Sequence, residues 1–383
     1  MTNIFNRQSD PNHKYKKKWR AVIICVLSAL TVIALSGYAV FHHYFSMIGR
    51  LDEPVQSAAE SDSISTVTEA VDKTETPATE PEPEHEDEPA IPPASEDEIE
   101  EIEANLTDNL MKMETDSELY SSDVFNILLI GVDSRKDSMS GRSDTMILVS
   151  INRKTKTVTM TSFLRDIYLS IPNHGSNRLN ASYAYGGTEL LKDTIKANFG
   201  ISTDRCVVVN FFLTMDIVNA IGGIELELSE DEIRVMNNYI RGHNKLLGNP
   251  DETDILSKDN PGEIHVNGNQ ALAYARVRYV GTDFARTGRQ RTVISKCLDK
   301  IRGMGIGEIK DLAEEFLPRV KTDLSEGDCA MLLLMALDLD SYVFQPLTVP
   351  ADGTWQYANI RGMSVITIDF EANSALWKET VEK

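Results

Sequence analysis

Between residues 51 and 105 the chain carries nineteen Asp and Glu against the single Lys73, seven prolines and no aromatic residue, a net charge of −18. Such a stretch buries too little apolar surface to offset its chain entropy, so it is expected to stay a solvated, self-repelling tether. Calcium chelation or capture of a basic partner by the glutamates is the competing reading. The tether divides the chain, and a hydrophobic core must close within the residues that follow it.

Ahead of the tether, Arg7, Lys14, Lys16, Lys17, Lys18 and Arg20 stand against Asp10, and residues 21–41 form an apolar run. As a helix that run rises about 31 Å, enough to cross the hydrocarbon core of a bilayer. A cleaved signal peptide fits less well, because the run is long and no small-x-small cleavage site clearly follows it. Positive charge before the span places that end in the cytoplasm and the rest of the chain outside. The expected organisation is a basic cytoplasmic head (1–20), one transmembrane helix (21–41), an extracytoplasmic, acidic, Pro-rich, disordered linker (42–120) and one folded domain (121–383). The expected location is therefore the cell membrane, single-pass, with the folded domain extracytoplasmic.

The tether supplies most of the whole-chain charge of −21, so the overall acidity reports the stalk and not a ligand. From residue 105 onward, 30 Lys and Arg face 39 Asp and Glu, a balance that argues against a nucleic-acid partner. Cys25 falls in the apolar run, leaving Cys206, Cys297 and Cys329, an odd set without the short spacings of a disulfide framework or zinc site. Cys206 and Cys297 lie in apolar patterns and read as buried small hydrophobes.

Residues 125–130 are a short apolar run ending at Gly131, a buried strand that delivers Asp133 and Arg135 to the loop beyond it. Residues 145–151 and 157–162 are β-rich and joined through Asn152-Arg153-Lys154-Thr155, which predicts a hairpin. That hairpin sets Asp144 at the start of one strand and Arg165 just past the end of its partner, on one sheet edge. Helical periods follow at 188–199, 212–221, 268–275 and from 287 onward, with strands at 206–209 and 224–228. Further helices are expected at 312–316 and 330–339 and strands at 343–349 and 365–369. The alternation predicts an α/β domain, three α-β-α layers about a central mixed sheet. The polar, Gly/Pro/Asp-rich residues 237–262 read as a surface loop or lid.

Arginine and aspartate recur together at Asp133-Ser134-Arg135, Arg142-Ser143-Asp144, Arg165-Asp166 and the run from Arg276 to Gln290, which holds Arg278, Asp283, Arg286 and Arg289. Guanidinium forks match phosphate oxygens, and Asp133 and Asp144, eleven residues apart, suit the divalent cation that a pyrophosphate brings. Arg286 and Arg289 fall near the start of a helix, where free amides and the macrodipole favour an anion. Taken singly, each pair has a bland reading as a marginal surface salt bridge. His174 and His265 have no partner at metal-ligand or triad spacing, and no Gly-x-Ser-x-Gly elbow is present, so serine-hydrolase chemistry is not expected. The apolar residues around Phe211, Phe212 and Ile217 could line a lipid groove, although such runs are more often plain core.

In order and spacing these motifs resemble the LytR-CpsA-Psr family over residues 121–370. The resemblance is carried by Asn126-Ile127-Leu128-Leu129-Ile130-Gly131-Val132-Asp133-Ser134-Arg135, Arg142-Ser143-Asp144-Thr145-Met146, Arg178-Leu179-Asn180-Ala181-Ser182-Tyr183, Ala271 to Arg278, and Asp283-Phe284-Ala285-Arg286-Thr287-Gly288-Arg289-Gln290. It implies a membrane-anchored phosphotransferase that moves an anionic glycopolymer from a polyprenyl-pyrophosphate carrier to the muramic acid 6-hydroxyl of peptidoglycan. It further implies Asp133 and Asp144 as carboxylates for Mg2+, with Mn2+ as the alternative ion, and Arg165, Arg276, Arg278, Arg286 and Gln290 as pyrophosphate contacts, with Arg135 and Arg142 assisting. Asp133, Arg165 and Arg286 are the expected catalytic groups, Asp133 being the candidate general base although a metal-bound carboxylate is a poor one. Leu164 stands where the family has proline, but the charged pair after it remains. Two rivals are a pyrophosphatase or phosphodiesterase that releases the polymer to water, and a non-catalytic envelope sensor.

Overall fold

The computed structural model describes residues 37–51, 91–115, 123–133, 139, 141–278, 283–336 and 338–383. Two units emerge, Met1–Ile48 and Gly49–Lys383. In the first, residues 37–47 are helical. Most of the apolar run at 21–41 lies outside the described residues, as does most of the acidic tether; among the described residues no helix is long and apolar enough to cross a membrane.

The second unit is built on a seven-stranded mixed sheet. Its strands are β1 (Gly49–Arg50), β2 (Val124–Val132), β3 (Ser143–Asn152), β4 (Thr157–Phe163), β7 (Arg205–Asn210), β10 (Lys321–Thr322) and β11 (Val343–Val349), in the order β1-β10-β7-β2-β3-β4-β11. The expected hairpin is present, with Asn152 opposite Thr157 in an antiparallel pair. β2 runs parallel to β7 and antiparallel to β3, and β4 runs parallel to β11. As a result the end of β2, the start of β3 and the ends of β4, β7 and β11 all meet at one edge of the sheet.

Helices cover both faces of this sheet. On one face, α1 (Glu96–Thr115), α2 (Leu179–Phe199) and α9 (Phe370–Glu382) bring Ile99, Leu106, Leu191, Ile195, Phe199 and Trp377 against Leu128, Ile130, Met146 and Leu148. On the other, α8 (Glu326–Ala336) carries Cys329, Leu332 and Met335 toward Ile127, Ile151 and Val158. The assignment of residues 42–120 to a disordered linker is corrected at both ends: residues 42–47 are helical and Gly49–Arg50 pairs with β10, and residues 96–115 form α1. Ile99, Ile102 and Leu106 recur at three- and four-residue steps along α1, and this apolar stripe anchors an otherwise acidic helix.

A second core lies beside the sheet. α3 (Phe211–Ala220), the hairpin of β8 (Ile224–Leu228) and β9 (Gly262–Val266), α4 (Glu230–Leu247), α5 (Gly268–Arg276) and α6 (Asp283–Arg302) bury Val218, Leu226, Ile233, Met236, Ile240, Val266, Ala273 and Val293 together. The reading of residues 237–262 as a surface loop or lid is corrected for residues 237–247, which belong to α4, while residues 249–261 form a loop before β9. A capping box between Ser229 and Glu232 starts the helix, and its apolar stripe carries it on to Leu247, while Asn237, His243 and Asn244 are buried. On the helical part, polar side chains build a buried network, whereas much of the loop after it is exposed. Gly268 explains how closely α5 seats: a Cβ there would fall 1.9 Å from the Met215 carbonyl oxygen on α3.

Cys206 is buried, and Cys297 and Cys329 pack against apolar clusters; all three are free thiols. Burial pushes the Cys206 thiol up to about 12 and that of Cys297 up to about 11, so neither is a ready nucleophile.

Candidate active site

The sheet edge collects the predicted charges. Asp133 follows β2, Asp144 opens β3 and Arg165 lies two residues past β4. Successive backbone bonds fix the Arg165 loop: Leu164 N–H donates to the Val349 carbonyl (2.9 Å), Asn180 N–H to that of Arg165 (3.2 Å), Ile366 N–H to that of Asp166 (2.9 Å) and Leu179 N–H to that of Ile167 (2.8 Å). A loop bonded to β11, α2 and strand β13 (Met363–Ile368) has little freedom to wander.

From this loop Arg165 donates to Asp144 Oδ1 at 2.6 Å, and its Nε faces Asp166 at 3.3 Å. Both side chains of the Arg165–Asp144 pair are mostly buried, 14% and 18% exposed. Arg178 reaches the other oxygen of Asp166 at 3.3 Å, because β5 (Tyr168–Ile171) and β6 (Gly175–Arg178) pair with Tyr168 opposite Arg178.

The second core contributes the remaining arginines. Arg286, with its side chain only 4% exposed, stands in the first turn of α6, 3.3 Å from Asp283. Its Nε is buried without a hydrogen-bond partner among the described residues. Arg276 at the end of α5 lies 3.7 Å from Asp133, with its guanidinium carbon 5.5 Å from the ring centres of both Phe211 and Tyr239. Gln290 is buried one turn beyond Arg286, and Arg278 is half-buried just after α5.

The electrostatics show that these groups converge. Burial pushes the Asp144 carboxyl upward, but the guanidiniums of Arg165, Arg286 and Arg276 outweigh it and hold it below the usual carboxylate range. Burial likewise opposes the Arg165 charge, yet Asp144, Asp166 and Asp283 raise its pKa above the ordinary value. One carboxylate thus feels three arginines drawn from two cores. A depressed pKa in the folded state means stability that is fully present above the unfolded carboxylate value and is lost as pH falls through the folded one. Unfolding free energy is therefore expected to be flat with respect to Asp144 above pH about 4 and to decline below it. Urea titrations of the wild type and of Asp144→Asn across that window should show a shallower acid slope in the variant.

Several expectations resolve differently. Arg289 does not reach the site: its Nε donates to Glu232 at 2.9 Å and its NH1 to the Val277 carbonyl at 3.1 Å, pinning α6 to α4. Arg142 offers its carbonyl to the Asp133 N–H at 3.4 Å while its side chain is exposed. Arg135 lies outside the described residues. His174 stacks on Tyr185 at the surface, and His265 pairs across the hairpin with Glu225 at 2.6 Å. Phe211, among the groove candidates, instead flanks Arg276.

The sequence assigns no separate site role to Arg178, Asp166 or Asp283, although each falls in a motif named above, and gives no sign of Arg291 or His243. Arg178 opens one of the quoted motifs and Asp166 adjoins Arg165, so both were within reach. Arg291 donates to Ser162 Oγ at 2.6 Å and ties α6 to the end of β4, a contact without a sequence signal. Gly131 also has a role at this edge, since a Cβ there would sit 2.9 Å from the Thr145 Cβ and 3.6 Å from the Phe211 ring.

The LytR_cpsA_psr family model matches residues 94–381. The chain belongs to this family. The match takes in α1, in agreement with that helix being part of the fold. Among relatives, the chain is 32% identical over 222 residues to the polyisoprenyl-teichoic acid–peptidoglycan teichoic acid transferase TagU of Enterococcus faecalis, covering 56% of this chain and 67% of that protein. It is 29% identical over 247 residues to TagT of Bacillus subtilis, named for the same transferase activity, covering 59% and 71%. A solved structure of the LytR-CPS2A-psr family protein YwtF (TagT) with bound octaprenyl pyrophosphate lipid superposes with a TM-score of 0.51 at 25% identity, over 68% of this chain and 90% of that one. The α/β fold with its central mixed sheet is thus the fold of the family.

Proposed function

We propose that this LytR-CpsA-Psr family member is a membrane-anchored phosphotransferase that moves an anionic glycopolymer from a polyprenyl-pyrophosphate carrier to the muramic acid 6-hydroxyl of peptidoglycan. One observation carries the reading: Arg165, Arg276 and Arg286, from three separate segments, all act on the Asp144 carboxylate at one sheet edge. The transferase names of the relatives and the octaprenyl pyrophosphate bound by the TagT structure support it. The basic head and apolar run at 1–41 support a cytoplasmic N-terminus and an extracytoplasmic catalytic domain.

In the transfer, the muramic acid 6-oxygen bonds to the phosphorus nearest the polymer, the bond from that phosphorus to the lipid-side bridging oxygen breaks, and polyprenyl phosphate departs. Phosphoryl transfer is served mainly by alignment and charge neutralisation. Arg165 and Arg286 are placed to exchange their carboxylate partners for phosphate oxygens, and Arg276 to hold the far side of the diphosphate. Arg278 and Gln290 complete the contacts. In this reading Asp133, half-exposed beside Arg276, accepts the hydroxyl proton.

The donor set fits magnesium: Asp133 and Asp144 supply hard oxygens, Asp144 is held ionised, and this ion is characteristically bound through one or two carboxylates plus substrate phosphates. Bound there, it would add Lewis-acid neutralisation of the pyrophosphate.

Incubating the full-length chain with a lipid-pyrophosphoryl glycan and peptidoglycan, with and without magnesium, tests this. The expected product is polymer joined to muramyl glycan through one phosphate, at a rate lowered about 100-fold or more by Asp133→Asn. Free, phosphate-ended polymer as the sole product would instead make the protein a hydrolase.

A further inference from the structure

We propose that His243 is a positioning residue that fixes the Arg276 guanidinium through the lone pair on its Nε2. The inference deepens the transferase reading and rests on it for the role of Arg276.

His243 is 1% exposed on α4, one turn after Tyr239. Its Nδ1 lies 2.8 Å from Asn269 Oδ1, and its Nε2 lies 3.1 Å from Arg276 NH1. The orientation of the Asn269 amide is set by its own neighbours. Its Nδ2 donates to Asn244 Oδ1 and to Asp254 Oδ2, each at 3.1 Å, so the atom facing the imidazole is the oxygen. An amide oxygen only accepts, and His243 must therefore carry its proton on Nδ1. On the other side a guanidinium only donates, so Arg276 requires an unprotonated Nε2. Both neighbours select the same neutral tautomer.

With His243 in place, four groups flank Arg276. Phe211 and Tyr239 lie against it at 5.5 Å, NH1 is held by the imidazole and NH2 points toward Asp133 at 3.7 Å. Behind the imidazole the support continues. Asp254 accepts from Asn267 Nδ2 at 2.7 Å, and its carbonyl accepts from Gln270 Nε2 at 2.8 Å, with φ at +62°. Asn244 Nδ2 donates to the carbonyls of Asp251 and Thr253 at 3.1 and 2.7 Å. The polar stretch after α4 is thereby fastened to the start of α5 and serves as the back wall of the Arg276 socket. A functional arginine held by a second layer of hydrogen bonds is pre-organised for its ligand.

The test uses the full-length chain in detergent, comparing wild type, His243→Leu, His243→Gln, Arg276→Ala and the double variant His243→Leu/Arg276→Ala. Readouts are octaprenyl pyrophosphate binding, glycopolymer transfer and spectra of 15N-labelled histidine. Loss of the acceptor should let Arg276 drift and lower transfer about 100-fold in His243→Leu, as expected for misplacement by about 1 Å. Glutamine can offer Nε2–H to Asn269 and Oε1 to Arg276 together, so His243→Gln should recover transfer to within about threefold of wild type, against the about 100-fold loss. In the Arg276→Ala background, His243→Leu should cost nothing further. The spectra should show the Nδ1–H tautomer. The proposal is overturned by an Nε2–H tautomer, by equal losses from His243→Leu with and without Arg276, or by a folded His243→Gln as impaired as His243→Leu. If wild type itself neither binds octaprenyl pyrophosphate nor transfers polymer, the transferase reading fails, while the tautomer still decides whether His243 accepts from Arg276.

Discussion

Arg165→Met is expected to reduce glycopolymer transfer about 10³-fold or more and to destabilise the domain at the same time, because the guanidinium serves two ends. It neutralises Asp144 and Asp166 in the resting protein, and in the proposed reaction it meets the diphosphate. Removing one partner of a buried ion pair leaves an uncompensated charge, typically about 3–5 kcal/mol of stability. The two roles can be separated. In Arg165→Met/Asp144→Leu the orphaned carboxylate is gone as well, so thermal unfolding should return most of the way to wild type while transfer stays absent. Transfer by a stable double variant would show that this ion pair belongs to the scaffold alone and would remove it from the mechanism.

Arg286→Lys carries the second large effect. The guanidinium is almost wholly buried, faces Asp283 and holds an Nε–H with no hydrogen-bond partner among the described residues. An unsatisfied buried donor is costly, and a phosphate oxygen arriving at the N-terminus of α6 would satisfy it alongside the free amides. Lysine keeps the charge but loses the planar fork, so it cannot meet two phosphate oxygens at once. Turnover is expected to fall about 100- to 1,000-fold while the fold is retained. Steady-state kinetics beside a thermal melt check this; a lysine variant with near-normal turnover would show that charge alone suffices at this position.

The hairpin of β3 and β4 illustrates what was legible. Two β-rich runs joined by a four-residue turn fix their antiparallel register, which brings Asp144 and Arg165 to the same end of the sheet, where the bonds of the Arg165 loop complete the pairing. The end of β2 could likewise be located from apolar periodicity, whereas α6 begins at Asp283, one turn before the expected start at 287. Three misreadings came from one source. The acidic start of α1 hid a packed helix, the polar face of α4 hid a buried network, and Arg289 looked like Arg286 although it turns inward to Glu232. In each case composition was local, whereas burial was decided by an element distant in the chain.

By itself, then, the order of residues determined the hairpin of β3 and β4, the buried strand that ends beside Asp133, and the list of charged groups able to meet a diphosphate. Those depend on periodicity, turn chemistry and charge, all of which act over a few neighbouring residues. Only the tertiary structure decided which guanidiniums share a carboxylate, that Arg178 joins them, and that His243 stands behind Arg276. Such pairings arise where the second core abuts the edge of the sheet, and electrostatic couplings between segments more than a hundred residues apart, like that of Asp144 with Arg286, leave no periodic trace in the chain.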